Sequence, residues 1–207
     1  DRISGGRFVL GMGAGWQINE HAKFGIDLPK PGPLLRRFDE ALQVIRALRD
    51  EDRGSFAGEF YTLTDAPMAP KAVGPLPIMV GGAGEKVMPR IIARWADEWN
   101  VWGDPARFAH KNAIITQACE AIGRDPRSVA RSTQATVVLG PDGAAKAAAL
   151  NERAPAIGGT VEQLIDVVGQ YVEAGLDELI VPSGARSPQE ALDLWATFME
   201  EILPSFQ

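Results

Sequence analysis

An α/β fold built on a parallel sheet is the fold class this sequence predicts, and three observations predict it. Apolar runs alternate with helical stretches along the whole chain. The apolar runs lack strict polar–apolar alternation, as expected of strands buried on both faces. Glycine or proline punctuates most of the segment ends. Uniform alternation of this kind predicts a single domain over 1–207. With 207 residues, 45% of them hydrophobic, the chain can bury one sizeable core.

Arg7 to Gly13 reads as the first strand, ending in Ala14-Gly15-Trp16. A helix follows over Leu34 to Asp50, with Leu34, Phe38, Leu42, Ile45 and Leu48 at helical spacing. Phe56 to Leu63 reads as a small hairpin around Ala57-Gly58, and Pro67 to Pro77 as extended coil. Pro77 to Gly81 is the second strand and Glu85 to Trp95 its helix; Trp99 to Trp102 is the third strand. Asp104-Pro105 supplies an N-cap and a proline at the first helical position. The helix it opens runs to Ile122, presents Phe108, Ile115, Cys119 and Ile122, and stops at Gly123. Asp125-Pro126 starts a short helical turn, and Ser132 to Leu139, rich in β-branched residues, is the fourth strand. Ala144 to Leu150 is a short helix. Thr160-Val161-Glu162-Gln163 has capping-box spacing, ahead of a helix presenting Leu164, Ile165, Val168, Tyr171 and Val172 and closed by Ala174-Gly175. Glu178 to Pro182 is the fifth strand. The last helix, Pro188 to Leu203, is expected to bury Leu192, Trp195, Phe198, Met199 and Ile202. Five βα units cannot close an eight-unit barrel, which takes about 250 residues, and spacing alone does not decide between a barrel and a doubly wound sheet.

Composition narrows the function classes. The net charge of −6 argues against a nucleic-acid or anionic-membrane surface, and no run approaches the roughly 18 apolar residues of a membrane span. Cys119 is the single cysteine, and His21 and His110 lie far apart, so neither a disulfide framework nor a metal site is expected. A cytoplasmic setting fits. No signal or transit peptide is legible. The chain opens at Asp1 and heads into a strand within six residues, which predicts that residues before it are missing.

In parallel βα units, ligand-facing groups lie at the C-terminal ends of the strands. That rule selects Gly13 to His21, Gly81 to Lys86, Asn100 to Asp104 and Pro182 to Arg186, and places Asp97 and Glu98 on the opposite, stabilising side. Val80-Gly81-Gly82-Ala83-Gly84-Glu85 is a strand end, a turn without bulky side chains and a helix start. Backbone N–H groups so arranged, with a helix dipole behind them, suit a phosphate; a simple tight turn is the other reading. Glu20 and His21 are an adjacent acid–base pair on the ligand side, and an imidazole can relay a proton near neutrality; a surface histidine is the alternative. Trp16 either stacks on a ligand or packs in the core. Trp95, Trp99, Trp102 and Trp195 read chiefly as core, with Trp102 also placed to line a pocket mouth. Lys86 and Arg186 could meet an anion or simply be solvated, and His110 and Cys119 read as structural.

Three blocks together resemble the luciferase-like flavin or deazaflavin oxidoreductases. They are Asp1 to Arg7 running into Leu10-Gly11-Met12-Gly13-Ala14-Gly15-Trp16 and Asn19-Glu20-His21; Pro77 to Gly84; and Ala96 to Asn100 with Gly123 to Pro126 downstream. The blocks are most similar to the probable F420-dependent oxidoreductase group. The resemblance implies a TIM (β/α)8 barrel of which this chain carries about five units, strands four to eight, with three units absent before residue 7. It implies F420, with FMN as the alternative cofactor. Gly81 to Glu85 would hold the cofactor phosphate beside Val80, and Gly13, Ala14, Gly15 and Asn19 would flank the ring. Trp16 stands where sugar-phosphate-oxidising relatives carry a carboxylate, which puts their substrate in doubt here. The implied activity is hydride transfer between F420 and a small organic substrate, with an FMN-dependent monooxygenase as the alternative; the strand-end reading makes Glu20 and His21 the candidate catalytic pair for it and Trp16 and Trp102 candidate pocket walls. A homodimer belongs to the same expectation, with no nucleic-acid or membrane partner. A different class also stays open: an inactive fragment or an α/β binding module, whose first strand would need a capping partner.

Overall fold

A computed structural model describes residues 1–151, 154–182, 185 and 187–206. The chain divides into two compact units, Asp1–Glu98 and Trp99–Gln207. The first unit contains β1 (Leu10–Met12), α1 (Ile18–Phe24), α2 (Pro31–Asp50), β2 (Arg53–Ala57), β3 (Thr62–Pro67), β4 (Ile78–Gly81) and α3 (Met88–Trp95). β1 and β4 run parallel, with Leu10 opposite Ile78 and Met12 opposite Val80. Ile78 and Val80 are fully buried, as are Leu42 of α2 and Ile92 of α3. β2 and β3 form the expected hairpin, longer than expected and bulged between Gly54 and Phe56.

Hydrogen bonds at the N-terminal side of β4 lock this unit. The Asp97 carboxylate accepts from the Ile78 amide at 3.0 Å and from Arg49 Nη1 at 2.8 Å. The Asp97 amide donates to the Ile78 carbonyl at 2.9 Å. Arg49 also donates to the Leu76 carbonyl at 3.1 Å. Asp97 thus lies on the stabilising side, as strand polarity predicts. At the hairpin, the Glu40 carboxylate accepts from the amides of Glu59 and Phe60, each at 2.8 Å, and of Tyr61 at 3.2 Å. Desolvation pushes that carboxyl up, but the three amides outweigh it and hold Glu40 below the usual carboxylate range.

The second unit carries β5 (Glu98–Trp102), whose first residue closes the first unit, then α4 (Pro105–Glu120), β6 (Ala130–Gln134) and β7 (Thr136–Leu139). There follow α5 (Gly143–Leu150), β8 (Ala156–Gly159), α6 (Val161–Glu173), β9 (Glu178–Ile180) and α7 (Pro188–Thr197). β6 lies between β5 and β9 and runs parallel to β9, while β7 runs parallel to β8. Asp104 caps α4 by accepting from the Arg107 amide, and the Thr160–Gln163 capping box forms on α6. The aromatic core stacks Trp99 on Phe108 at 6.0 Å and sets Tyr171 edge-on to Phe108 at 6.0 Å. The buried Tyr171 hydroxyl donates to the Gly103 carbonyl at 2.6 Å.

Five expectations need correction. α3 starts at Met88, three residues later than expected. Pro89 has no N–H to bond the carbonyl four residues back, so it must sit in the first turn. α1 has no counterpart among the expected elements; none of its residues is buried, so it leaves no hydrophobic period to read. The fourth strand is two strands, divided at the buried Ala135, and β7 pairs with a strand, β8, that was not foreseen. β8 ends in Gly158-Gly159, and a Cβ on Gly158 would overlap the Gly143 carbonyl of α5, so close packing demands residues that hide the strand. In the last helix Leu192 and Met199 are 57% and 58% exposed and Trp195 is also exposed, whereas Ala191 and Ile202 are buried. The chain passes from α-helix into a π-helical turn at Phe198–Ile202, and Ile202 is buried as expected. Ile122 and Val172, expected on buried faces, are exposed as well.

Tyr171 yields a pH prediction. Burial, then the Asp104 charge, push its hydroxyl well above the ordinary range. A folded-state pKa above the unfolded one contributes stability that is complete below about pH 10 and lost as pH rises through the folded value. Urea unfolding from about pH 8 to about pH 11 should therefore show falling stability. Tyr171→Phe should flatten that fall, at a cost near neutrality of roughly 1 kcal/mol for the lost hydrogen bond.

Candidate functional site

The parallel register of β1 and β4 brings two loops together at the C-terminal ends of these strands. A Cβ on Gly13 would lie 4.0 Å from the Gly81 carbonyl oxygen, and one on Gly81 would lie 3.9 Å from the Met12 carbonyl oxygen. The two glycines therefore leave the sheet side by side. Val80, one residue earlier, is fully buried, so its side chain serves the core. Gly81, Gly84, Glu85 and Lys86 are exposed, and Gly82 and Ala83 half-buried.

Gly82 rests on the first residue of α3. A Cβ there would come within 2.8 Å of Met88 Cγ and 3.2 Å of Met88 Cε. The N-cap residue of α3, Val87, supplies no side-chain cap, and the amides of Arg90 and Ile91 both turn to its carbonyl, at 3.1 and 3.4 Å. Glu85 is therefore not the helix start that the sequence suggested. The dipole of α3 stands behind the loop, while Pro89 and the Val87 carbonyl between them leave few helical N–H groups for a ligand.

The first loop closes on itself through His21. Gly15 has φ +93°, a left-handed conformation that favours glycine. A Cβ on it would lie 3.2 Å from His21 Nε2. The other ring nitrogen, Nδ1, is 3.3 Å from the Ile26 carbonyl oxygen. A carbonyl can only accept, so Nδ1 carries the proton, and in the neutral ring Nε2 presents its lone pair toward Gly15. Gly25, in the left-handed region at φ +66°, ends α1 and turns the chain so that Ile26 meets the ring. Asn19 and Glu20 are exposed on α1, and no ion pair joins Glu20 to His21 among the described residues. Trp16 is 69% exposed, which removes the core-packing reading.

Gly13, Ala14, Gly15 and His21 thus meet at one strand end beside Gly81 and Gly82. Trp102, at the end of β5 in the second unit, is 47% exposed; with the exposed Trp195 it departs from the core role expected of it. Trp99 does fill the core, and half-buried Trp95 donates through Nε1 to Asp39 Oδ1 at 2.8 Å. Cys119 is fully buried, and burial pushes its thiol up, as suits a structural cysteine. His110 lies on an exposed position of α4. Arg186 lies outside the described residues. Among the described residues no cluster of His, Cys, Asp and Glu could hold a metal ion, and no helix is long and apolar enough to cross a membrane. Sequence reasoning missed Met88 as the support of the glycine loop and the contact between Gly15 and His21. Pro89, which fixes Met88 as the first helical residue, was the available signal for the former.

The geometry separates two neighbouring glycines. Gly81→Ala meets only ordinary contact distances and should stay within about 0.5 kcal/mol of the parent. Gly82→Ala must displace Met88 and should cost roughly 1–3 kcal/mol. Urea unfolding of the two variants checks the difference.

The family model of luciferase-like monooxygenases matches residues 1–160. The pyrimidine monooxygenase RutA of Escherichia coli is 35% identical over 132 residues, which are 60% of this chain and 36% of that protein. The chain thus spans about a third of the length of this curated relative. An F420-dependent secondary alcohol dehydrogenase, solved with an F420–acetone adduct, superposes with TM-score 0.82 at 18% identity, covering 99% of this chain and 71% of that one. The monooxygenase RslO1 of Streptomyces bottropensis gives 0.80 at 20% identity, over 100% and 71% of the two chains. The F420-dependent tetrahydromethanopterin reductase of Methanopyrus kandleri gives 0.75 at 17%, over 99% and 76%. At these identities the structural likeness is one of fold, that of the luciferase-like TIM barrels, of which this chain has a part. The chain belongs to the luciferase-like monooxygenase family.

Proposed function

We propose that this luciferase-like chain binds the phosphorylated tail of a flavin-type cofactor at Gly81 to Glu85 and places Gly13, Ala14, Gly15 and Asn19 beside its ring, to oxidise or reduce a small organic substrate. The observation that carries the reading is the adjacency of Gly13 and Gly81 at the C-terminal ends of paired parallel strands. The residues fit such a group. Gly81 and Gly84 are exposed, no side chain larger than a methyl intervenes before Glu85, and the N-terminus of α3 lies behind the loop.

When bound, FMN supplies oxygen activation or hydride transfer, and F420 supplies hydride transfer. The chain's own part is positioning and proton handling. Gly13 to Gly15 let a planar ring approach the backbone. The exposed indole of Trp16 offers an apolar wall that excludes water. His21, held by Ile26, keeps Nε2 directed at the loop, where it can accept or return a proton. Glu20 makes no ion pair with it and acts at most through the local field.

FMN-dependent monooxygenation is the first reading, favoured by the identity with a pyrimidine monooxygenase. Hydride transfer with F420 is the second, favoured by the motif blocks at 1–21, 77–84, 96–100 and 123–126.

Anaerobic titration of the purified protein with FMN and with F420 tests both readings. One of the two should bind with a Kd of about micromolar. Binding of FMN alone selects the first reading and binding of F420 alone the second, while binding of neither overturns both in favour of a non-catalytic module. Gly82→Asp should weaken the binding at least about ten-fold beyond Gly82→Ala, which controls for the Met88 displacement, because it sets a carboxylate against the phosphate. His21→Gln should leave cofactor affinity unchanged and abolish one limb of the pH–rate profile; an unaltered profile excludes His21 from proton transfer.

A further inference from the structure

We propose that the groove between α2, the β2–β3 hairpin and α3 is a binding site for a small amphiphilic anion, a molecule with one carboxylate or phosphate head on an apolar body. The groove encloses about 770 Å³, within the size range of small-molecule sites. It shares no residue with the glycine loops. Leu35, Phe56, Val87 and Ile91 supply apolar lining, and Arg36, Arg90 and Arg94 face it together with Asp39 and Glu40.

The polar partners of these groups decide what the groove can take. Glu40 is engaged by three hairpin amides. Asp39 accepts from Trp95 Nε1 at 2.8 Å and from Gln43 Nε2 at 3.1 Å. Arg36 is engaged by Glu59 in a two-pronged pair at 3.0 and 3.1 Å. Arg90 and Arg94 are exposed and have no carboxylate partner among the described residues. They lie four positions apart on α3, with Val87 and Ile91 completing the same face. Side chains so spaced are neighbours, about 5–6 Å apart at Cβ. Two guanidiniums can then grip one carboxylate or phosphate through charge-assisted hydrogen bonds. On a chain of net charge −6, an arginine pair with no ion pair among the described residues, on an apolar wall, is charge-complementary to a head group with an apolar tail.

Calorimetric titration of the purified protein with octyl phosphate and octanoate below their micelle concentrations, with octanol and inorganic phosphate for comparison, tests the assignment. Saturable binding of the two amphiphilic anions is expected, with octanol and inorganic phosphate each at least about ten-fold weaker. Arg90→Gln/Arg94→Gln should weaken octyl phosphate about ten-fold or more. Should the double variant fail to fold, Arg94→Gln alone should weaken it in the same direction. Gly81→Asp, which does not press on Met88, should leave this binding unchanged, which separates the groove from the cofactor loop. Co-sedimentation with phosphatidylglycerol vesicles that the arginine variants abolish identifies a lipid as the source of the head group; anion binding without co-sedimentation identifies a soluble ligand. No saturable binding, equal binding of octanol, equal binding of inorganic phosphate, or indifference to the arginine substitutions would each overturn the proposal, as would self-association of the protein through this face in sedimentation velocity.

Discussion

Asp97 fixes the geometry on which the candidate site depends, although it lies at the far end of the strand. Its carboxylate takes the Ile78 amide and the Arg49 guanidinium, and its own amide returns to the Ile78 carbonyl. One residue thereby joins the start of β4 to the last turn of α2 and to the segment leaving α3. With the start of β4 held, the Leu10–Ile78 register with β1 determines where both strands end. A slip of one residue would invert every side chain of the strand and separate Gly13 from Gly81. The division of labour is that of βα architecture, with stability built at one end of the strands and ligand loops left free of that duty at the other.

The second unit solves a different problem. Its sheet buries polar side chains, and each finds a partner within the unit. Thr133 Oγ1 donates to the Val101 carbonyl at 2.6 Å, and Asn100 donates to Ser132 at 2.9 Å. Arg131, almost fully buried, donates to Asn112 at 2.9 Å and to the carbonyls of Pro126 and Val129. Burial pulls this guanidinium below its ordinary range, and the Asn112 and carbonyl acceptors, with the Asp177 carboxylate on the Arg131 amide, make a buried cation tolerable. Beside this network the Trp99–Phe108–Tyr171 stack supplies the apolar mass.

Glycine serves two distinct purposes. At Gly13 and Gly81 the missing side chain leaves exposed backbone that a ligand can approach. At Gly82 and Gly158 the missing side chain is filled by protein, Met88 in one case and the α5 backbone in the other. The same residue type in the same kind of motif is therefore a cradle in one position and a packing joint in the next, and the spacing of Gly81-Gly82-Ala83-Gly84 does not distinguish them. His21 shows the complementary case. Its side chain acquires a defined donor and acceptor side only because Gly25 turns the chain so that Ile26 meets the ring.

The order of strands and helices was legible wherever a local signal reports on a local structure. Asp104-Pro105, Thr160 to Gln163 and the period of Phe38 and Leu42 each describe an element that its own residues stabilise, and the family could be read from the motif blocks because they recur in order from residue 1 to residue 126. The strand-end rule likewise put Gly13 to His21 and Gly81 to Glu85 on one side and Asp97 on the other. What local signals left hidden was whatever a distant neighbour decides. β8 needed α5 to pack against its glycines, and α1 buries nothing, so no period marks it; the late start of α3, by contrast, had a local signal in Pro89. Sequence by itself determined the fold class, the family and the two glycine loops, because hydrophobic period, caps and glycine placement act over a few residues. Only the tertiary structure decided that Gly82 rests on Met88, that His21 faces Gly15 and that Arg90 and Arg94 line a groove beside Asp39 and Glu40, because these are contacts whose partners are set by packing and not by position along the chain.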